Sequence, residues 1–334
     1  GAYASSPALF GGTINDEINF FRGLLNFDDI GGLELPFWGE TAHEFGDQFL
    51  FNNLPPHWHH ILTCIPGNVN ALKTNKAFGL ASIDEQSRKL AVDLTLRARV
   101  FVLKINDYFG QKMINEVQLC SAPSKLRNTA NSSISQFSKS LEEILSWNWD
   151  HANLNIEHCD SALQNGEYQK GFLPICDEIN AAINFPQLGF VINWARSVIE
   201  TRNVDGAMAH ITQLKKRNLL RGIIFSGTAK TNCASNSWLD DHVPLNFHSK
   251  MGFGYDHSLL TPEEILRCME EMKEINSFTG MKISTLRFEP FNHKDRILFL
   301  RENLSKIYPI CSNPVLLLSQ KEKEKDRNSY EATT

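Results

Sequence analysis

Glu157, His158 and Asp160 fall within four positions of one another at the end of the stretch ANLNIEHCD, residues 152–160. Apolar and amide residues alternate before them in the manner of a strand, and a turn needs at most one such polar group. A metal centre or a proton-transfer site uses all three. A second cluster, Asp240, Asp241 and His242, lies in SNSWLDDHVPLNFHSKMGFG, residues 235–254. Acids and histidines are common in solvated loops, so this cluster gains meaning only from its position. A third group, His57, His59 and His60 in PPHWHH, has metal-ligand spacing. It precedes or opens a strand, which assigns it a structural role.

These side chains need a frame. Eight short apolar stretches read as strands: 2–5, 31–36, 59–67, 115–123, 152–160, 188–195, 220–228 and 281–290. Helical patterns separate them, among them INDEINFFRGLLN and KDRILFLRENLSKIY. SIDEQSRKL opens with a capping-box spacing, Ser82 to Glu85, and TPEEILRC opens with an N-cap threonine, a first-turn proline and two acids. The alternation predicts a single α/β (β/α)8 TIM barrel over residues 1–318, followed by a charged, apolar-poor tail, 319–334. A doubly wound sheet is the competitor, but no Gly-rich phosphate loop follows a strand.

In such a barrel chemistry collects where the strands end. Alternation points Asn153, Asn155 and Glu157 inward, opposite Leu154 and Ile156. The same parity turns Glu34, Asn193, Ser226, Thr285, Arg287 and Glu289 inward. Glu34, Glu157, Asn193, Ser226 and Glu289 therefore share one rim. Three inward glutamates need a cation, protons or a ligand to relieve their repulsion. The plainer alternative is a set of polar plugs, such as Arg287 paired with Glu289.

The bulk composition is that of an ordinary globular protein, with 42% hydrophobic and 21% charged residues. A net charge of −5 argues against a phosphate-neutralising surface, so no nucleic-acid partner is expected. The longest apolar runs fall short of the roughly 18 residues of a membrane span. Seven cysteines are scattered without CxxC spacing and read as reduced thiols in a cytoplasmic protein.

This layout resembles the xylose isomerase-like TIM-barrel superfamily over residues 2–310. GGLEL at 31–35 is similar to that family's strand-two signature. Glu157 and Glu289 fall at its metal-binding glutamates of strands five and eight, and Asp240 with His242 at its Asp-x-His before a Gly-x-Gly. The family's Asp-x-x-His after strand six is replaced here by Asn193-Trp194-Ala195-Arg196, and Ser226-Gly227-Thr228 stands where a histidine or aspartate is usual. The resemblance implies a divalent metal (Mn, Mg or Zn) on Glu157, Asp240, His242 and Glu289, with His158 as a further candidate. Alternatively, Arg196 has taken over the metal's electrostatic role.

The resemblance further implies a sugar or sugar-phosphate isomerase or epimerase, or a related lyase, working through an enediolate with Glu157 and Glu289 as proton carriers. Its substrate is a small carbohydrate, bound by Glu34, Trp38, Asn193, Trp194, Arg196, Ser226 and Arg287. Trp38 and Trp194 are candidates to stack on a sugar face, with ordinary packing as the alternative. His158 and Asp160 stand behind these groups as supports. Arg196 has its own alternative, a surface pair with Glu200. The rival functions are a catalytically silent sugar-binding barrel and an apurinic-type endonuclease; a homo-oligomer is compatible with either reading.

Overall fold

The computed structural model describes residues 1–125, 131–162, 168–230 and 238–312. The charged tail and residues 231–237 of the long loop lie outside the described residues. Seven strands form one all-parallel sheet in sequence order: β1 Glu34–Pro36, β2 His60–Thr63, β3 Ile114–Leu119, β4 Asn153–His158, β5 Gly189–Asn193, β6 Leu220–Phe225 and β7 Phe278–Met281. Helices α1 Ile14–Leu24, α2 Asp47–Asn53, α3 Ile65–Leu72, α4 Glu85–Phe109, α5 Ile134–Leu145 and α6 Ile175–Ala182 cover its outer side. They are joined by α7 Trp194–Thr201, α8 Asp205–Lys215, α9 Pro262–Glu271 and α10 His293–Ser312.

Strand alternation explains the layering. Leu35, Leu62, Val117, Leu154, Ile156, Phe190, Ile192, Ile223 and Phe225 are buried and join the helices in one core. Burial of each such side chain is worth about 1.5–3 kcal/mol. The opposite parity carries Glu34, Gln118, Glu157 and Asn193, all buried as well. Small residues make room among the inner side chains: a Cβ on Gly222 would lie 2.5 Å from the Phe278 ring. The inner face of this curled sheet is therefore polar at one end and plugged at the other.

An eight-stranded closure is not seen among the described residues. Ala2–Ser5, expected as a strand, is a short 3-10 helix. It offers Tyr3 as its only large apolar side chain, and it is tied in place by Ser5 Oγ donating to the Ile283 carbonyl at 2.7 Å. The last expected strand, 281–290, starts earlier and stops at Met281. Ser284 Oγ accepts from Leu286 N, a local bond that competes with the ladder, and Leu286–Phe288 closes into a 3-10 turn.

Two helix starts also differ from expectation. β5 ends at Asn193 and Trp194 opens α7 with no intervening loop, because Trp194 and Val198 stack one helical turn apart into the core. The N-cap of α4 is Asp84, which accepts from Ser87 N; Ser82 instead accepts from Asp84 N. Thr261 caps α9 as its sequence suggests, accepting from Glu264 N.

Candidate functional site

Glu34 of β1, Gln118 of β3 and the carboxyl ends of β4, β5 and β6 bring together one continuous charged network. Glu157 Oε1, on β4, accepts from Arg196 Nη1 at 2.5 Å and from Asn193 Nδ2 at 3.2 Å. With its amide nitrogen turned inward, Gln118 on β3 donates to Glu157 Oε2 and to Glu34 Oε1, both at 3.1 Å. Glu34 Oε1 also accepts from Lys282 Nζ at 3.0 Å. Arg196 continues the chain outward, its Nε donating to Asp240 Oδ2 at 2.9 Å. Lys170 Nζ reaches the same oxygen at 2.5 Å. His242 Nδ1 lies 2.8 Å from Ser226 Oγ and 3.2 Å from Asp240 Oδ1.

The direct β5–α7 junction places Arg196. It sits in the first helical turn, three residues past Asn193, so both side chains reach Glu157. The alternative pairing with Glu200 is not what the structure shows, since Glu200 turns to His158.

The network is buried. Arg196 is 2% exposed and Glu157 fully covered, while the His242 side chain at 17% is the most open member of the group. Burial alone would raise the Asp240 carboxyl, yet Arg196 and Lys170 outweigh it and hold the group well below the usual carboxylate range. Burial likewise opposes ionisation of Glu34, and Lys282 prevails. At His242 burial dominates over Asp240 and lowers the imidazole, so it is neutral near pH 7. No group among the described residues bonds its Nε2. Three side-chain cations (Arg196, Lys170, Lys282) and the Gly1 ammonium thus face four acids (Glu34, Glu157, Asp240, Asp160) around one neutral histidine.

This arrangement bears on the metal expected at the mouth. Glu157 is already bound by three donors, and Asp240 by a guanidinium and an ammonium. Arginine carries a fixed charge and donors only. A divalent ion against Glu157 and Asp240 would have to displace it, so these residues do not fit a metal at that position.

Several expected site residues lie elsewhere. Glu289 is not on an inner strand position. It follows the 3-10 turn, and it is held by Arg296 at 2.7 Å, by Thr285 Oγ1 and by Phe291 N. The strand ends before alternation can turn it inward. Trp194 is fully buried in the core and has no face for a ligand, because the helix begins at that residue. Trp38 is half-buried in the loop after β1. Arg287 does not pair with Glu289; it donates to Asp241 Oδ2 at 2.6 Å and stacks over Tyr255. Ser226 supports His242. Asp160 Oδ2 accepts from Gln169 N and Lys170 N, which fixes the segment that delivers the Lys170 ammonium.

Sequence reasoning missed Gln118, Lys170 and Lys282. Gln118 shares the inward parity of β3. Lys170 follows a stretch with no periodic signal. Lys282 lies just past the end of β7, where alternation drawn through 285–289 points it outward. In the third histidine cluster His57 and His59 are exposed, while buried His60 accepts from Leu33 N through Nδ1 and burial drops its pKa to about 3. The described cysteines are all free.

On the helix side of β4 a second polar group lies in the core. His158 contacts Glu178 through Nδ1 at 2.7 Å and Glu200 through Nε2 at 2.8 Å. With His210 the group brings ligand-type atoms of His158, Glu200 and His210 within 4.8 Å of one another, a spacing able to hold a divalent ion.

Residues 1–296 match the family model described as a domain of unknown function, DUF4862. The chain belongs to the DUF4862 family. An uncharacterized protein of Salmonella typhimurium strain LT2 is 31% identical to this DUF4862 chain over 300 residues, covering 89% of it and 93% of that protein. Its fold is that of xylose isomerase-like barrels. A xylose isomerase domain containing protein of Salmonella typhimurium LT2 superposes with a TM-score of 0.55 at 8% identity, covering 91% of this chain and 96% of its own. The IOLI protein, solved with a bound zinc atom, gives 0.52 at 10% identity over 84% of this chain and 98% of its own. No helix among the described residues is long and apolar enough to cross a membrane.

Proposed function

We propose that this DUF4862 protein is a sugar or sugar-phosphate isomerase or epimerase, or a related lyase, that moves a proton at carbon through an enediolate without a metal at the barrel mouth. The observation that carries the reading is a pair of buried acceptors without hydrogen bonds, Glu34 Oε2 and Asn193 Oδ1, beside the Lys282 and Arg196 cations, with the Gly1 ammonium 3.7 Å from Glu34 Oε2. Unpaired buried acceptors are costly, at about 1–3 kcal/mol each. A polyhydroxylated ligand supplies hydroxyl donors to such acceptors, and the cations suit its carbonyl or phosphate oxygens.

In this reading His242 is the proton carrier. Neutral at pH 7, its Nε2 takes the proton from the carbon beside the carbonyl, while Ser226 and Asp240 hold Nδ1 and stabilise the imidazolium that forms. Arg196, whose Nη2 has no partner among the described residues, and Lys170 stabilise the enediolate oxygen. In isomerisation the proton then returns to the neighbouring carbon as the hydroxyl proton passes between the two enediolate oxygens; in epimerisation a donor on the opposite face, such as a water, supplies the proton and His242 releases its own to solvent. Glu157, saturated by three donors, positions Arg196 instead of carrying the proton. The site is compatible with a small carbohydrate as substrate; the neighbours' folds support the family of chemistry, not the sugar.

The saturation of Glu157 also favours a second reading, a barrel that binds a sugar and does no chemistry. Solvent-deuterium incorporation across a panel of aldoses, ketoses and their phosphates separates the two. Exchange that is lost in His242→Asn supports the enzyme. Saturable binding with no exchange in the native protein favours the binding barrel.

A further inference from the structure

We propose that His158, Glu200 and His210 form a zinc-type divalent cation site behind the barrel wall, separate from the mouth, that fastens β4 to α7 and α8. Glu200 stands between the two imidazoles, its Oε2 at 2.8 Å from His158 Nε2 and its Oε1 at 3.9 Å from His210 Nε2. The other nitrogen of each ring is engaged from behind. His158 Nδ1 meets Glu178 Oε2 at 2.7 Å, and Glu178 is itself held by Ser121 Oγ at 2.5 Å. His210 Nδ1 meets Ser197 Oγ at 3.0 Å. A metal-binding histidine characteristically has its far nitrogen fixed by a carboxylate or another polar group, which sets the tautomer and aims the near nitrogen at the ion. Here both near nitrogens are aimed at one carboxylate.

The charge count points the same way. Two buried carboxylates, Glu178 and Glu200, face one imidazole that bridges them, which places two negative charges in the cluster. A dication with both rings neutral brings it to zero. Two imidazoles and a carboxylate are a donor set for zinc or a similar transition ion, not for magnesium or calcium. Glu200 binding through both oxygens, or one water, completes four-coordination. The rings pack edge to face with centroids 5.0 Å apart, so only side-chain adjustment is needed to admit an ion. Metal entry expels the proton shared between His158 Nε2 and Glu200.

The test uses the full chain, stripped with a chelator and titrated with zinc chloride by calorimetry in two buffers of different ionisation enthalpy. The expected result is one zinc per chain, with proton release and a higher melting temperature. Glu200→Gln and His210→Ala should each weaken binding at least 100-fold, and Glu178→Gln about 10–100-fold. His242→Ala should leave the stoichiometry unchanged. Cobalt loading of the native chain should give tetrahedral ligand-field bands that Glu200→Gln abolishes, a readout that stands even if His210→Ala fails to fold. No stoichiometric zinc in the native chain overturns the proposal. So does zinc that survives Glu200→Gln but is lost in His242→Ala, which would put the ion at the mouth.

Discussion

Replacing Arg196 by methionine removes the one group that joins Glu157 to Asp240. Both carboxylates are almost wholly covered, and the guanidinium meets them at 2.5 and 2.9 Å, so solvent cannot replace it. Removing one partner of a buried pair costs about 3–5 kcal/mol, because the remaining charge stays desolvated. For a chain of this size that corresponds to a melting-temperature loss of roughly 4–7 °C. The pH dependence is distinctive. In the native protein Asp240 is held below its unfolded value, so its contribution is present above that value and lost only as pH falls through the depressed one. Without Arg196 only Lys170 and His242 oppose burial and the depression is smaller, so the deficit is greatest above the unfolded carboxyl value and shrinks as pH falls below it. Urea unfolding followed by circular dichroism at several pH values measures this. Arg196→Met with Glu157→Gln should recover about 1–3 kcal/mol as a coupling energy. A deficit under about 1 kcal/mol, or one that does not shrink between about pH 7 and 3, would refute the buried-bridge account.

Other outcomes follow from the same geometry. Trp194→Ala should cost about 3–5 kcal/mol in urea unfolding, while the affinity for any sugar ligand changes little, since the ring is core and not rim; a large loss of affinity at unchanged stability would reverse that. The exchange rate should fall only on the acid side, below the ordinary histidine value, because burial lowers His242; an acid limb at higher pH assigns the proton to another group. Thr261→Ala should cost about 1 kcal/mol through loss of the α9 cap, and an unchanged unfolding midpoint would show that the cap is dispensable.

The legible part of the fold was the part governed by a period. The twofold alternation through β4 put Glu157 inside and Leu154 and Ile156 outside, and the same rule placed Glu34 and Asn193. The rule failed where local bonds override the ladder. Ser284 starts a turn that ends β7's extended run, so every inward assignment from Thr285 to Glu289 lost its basis. Alternation also says nothing about where a helix takes over: α7 begins at Trp194, which buries a residue expected at the rim and swings Arg196 to the network. Lys282 and Lys170 were invisible for a related reason, since neither lies on a regular element and their roles come from contacts distant in sequence. Lys282 meets Glu34, on the first strand.

The two polar groups flanking β4 are joined through the same pair of elements. Successive residues of a strand point to opposite faces, so Glu157 enters the mouth and His158 enters the layer of helices. On α7, Arg196 and Glu200 are four residues apart, and each meets the β4 residue on its own side of the wall. Two charged contacts between one strand and one helix therefore set the helix's position along and about its axis. Lengthening either contact must move the other, because α7 is only eight residues long and starts without a loop to absorb the shift. The guanidinium at the mouth thus depends for its place on groups that a ligand there never touches.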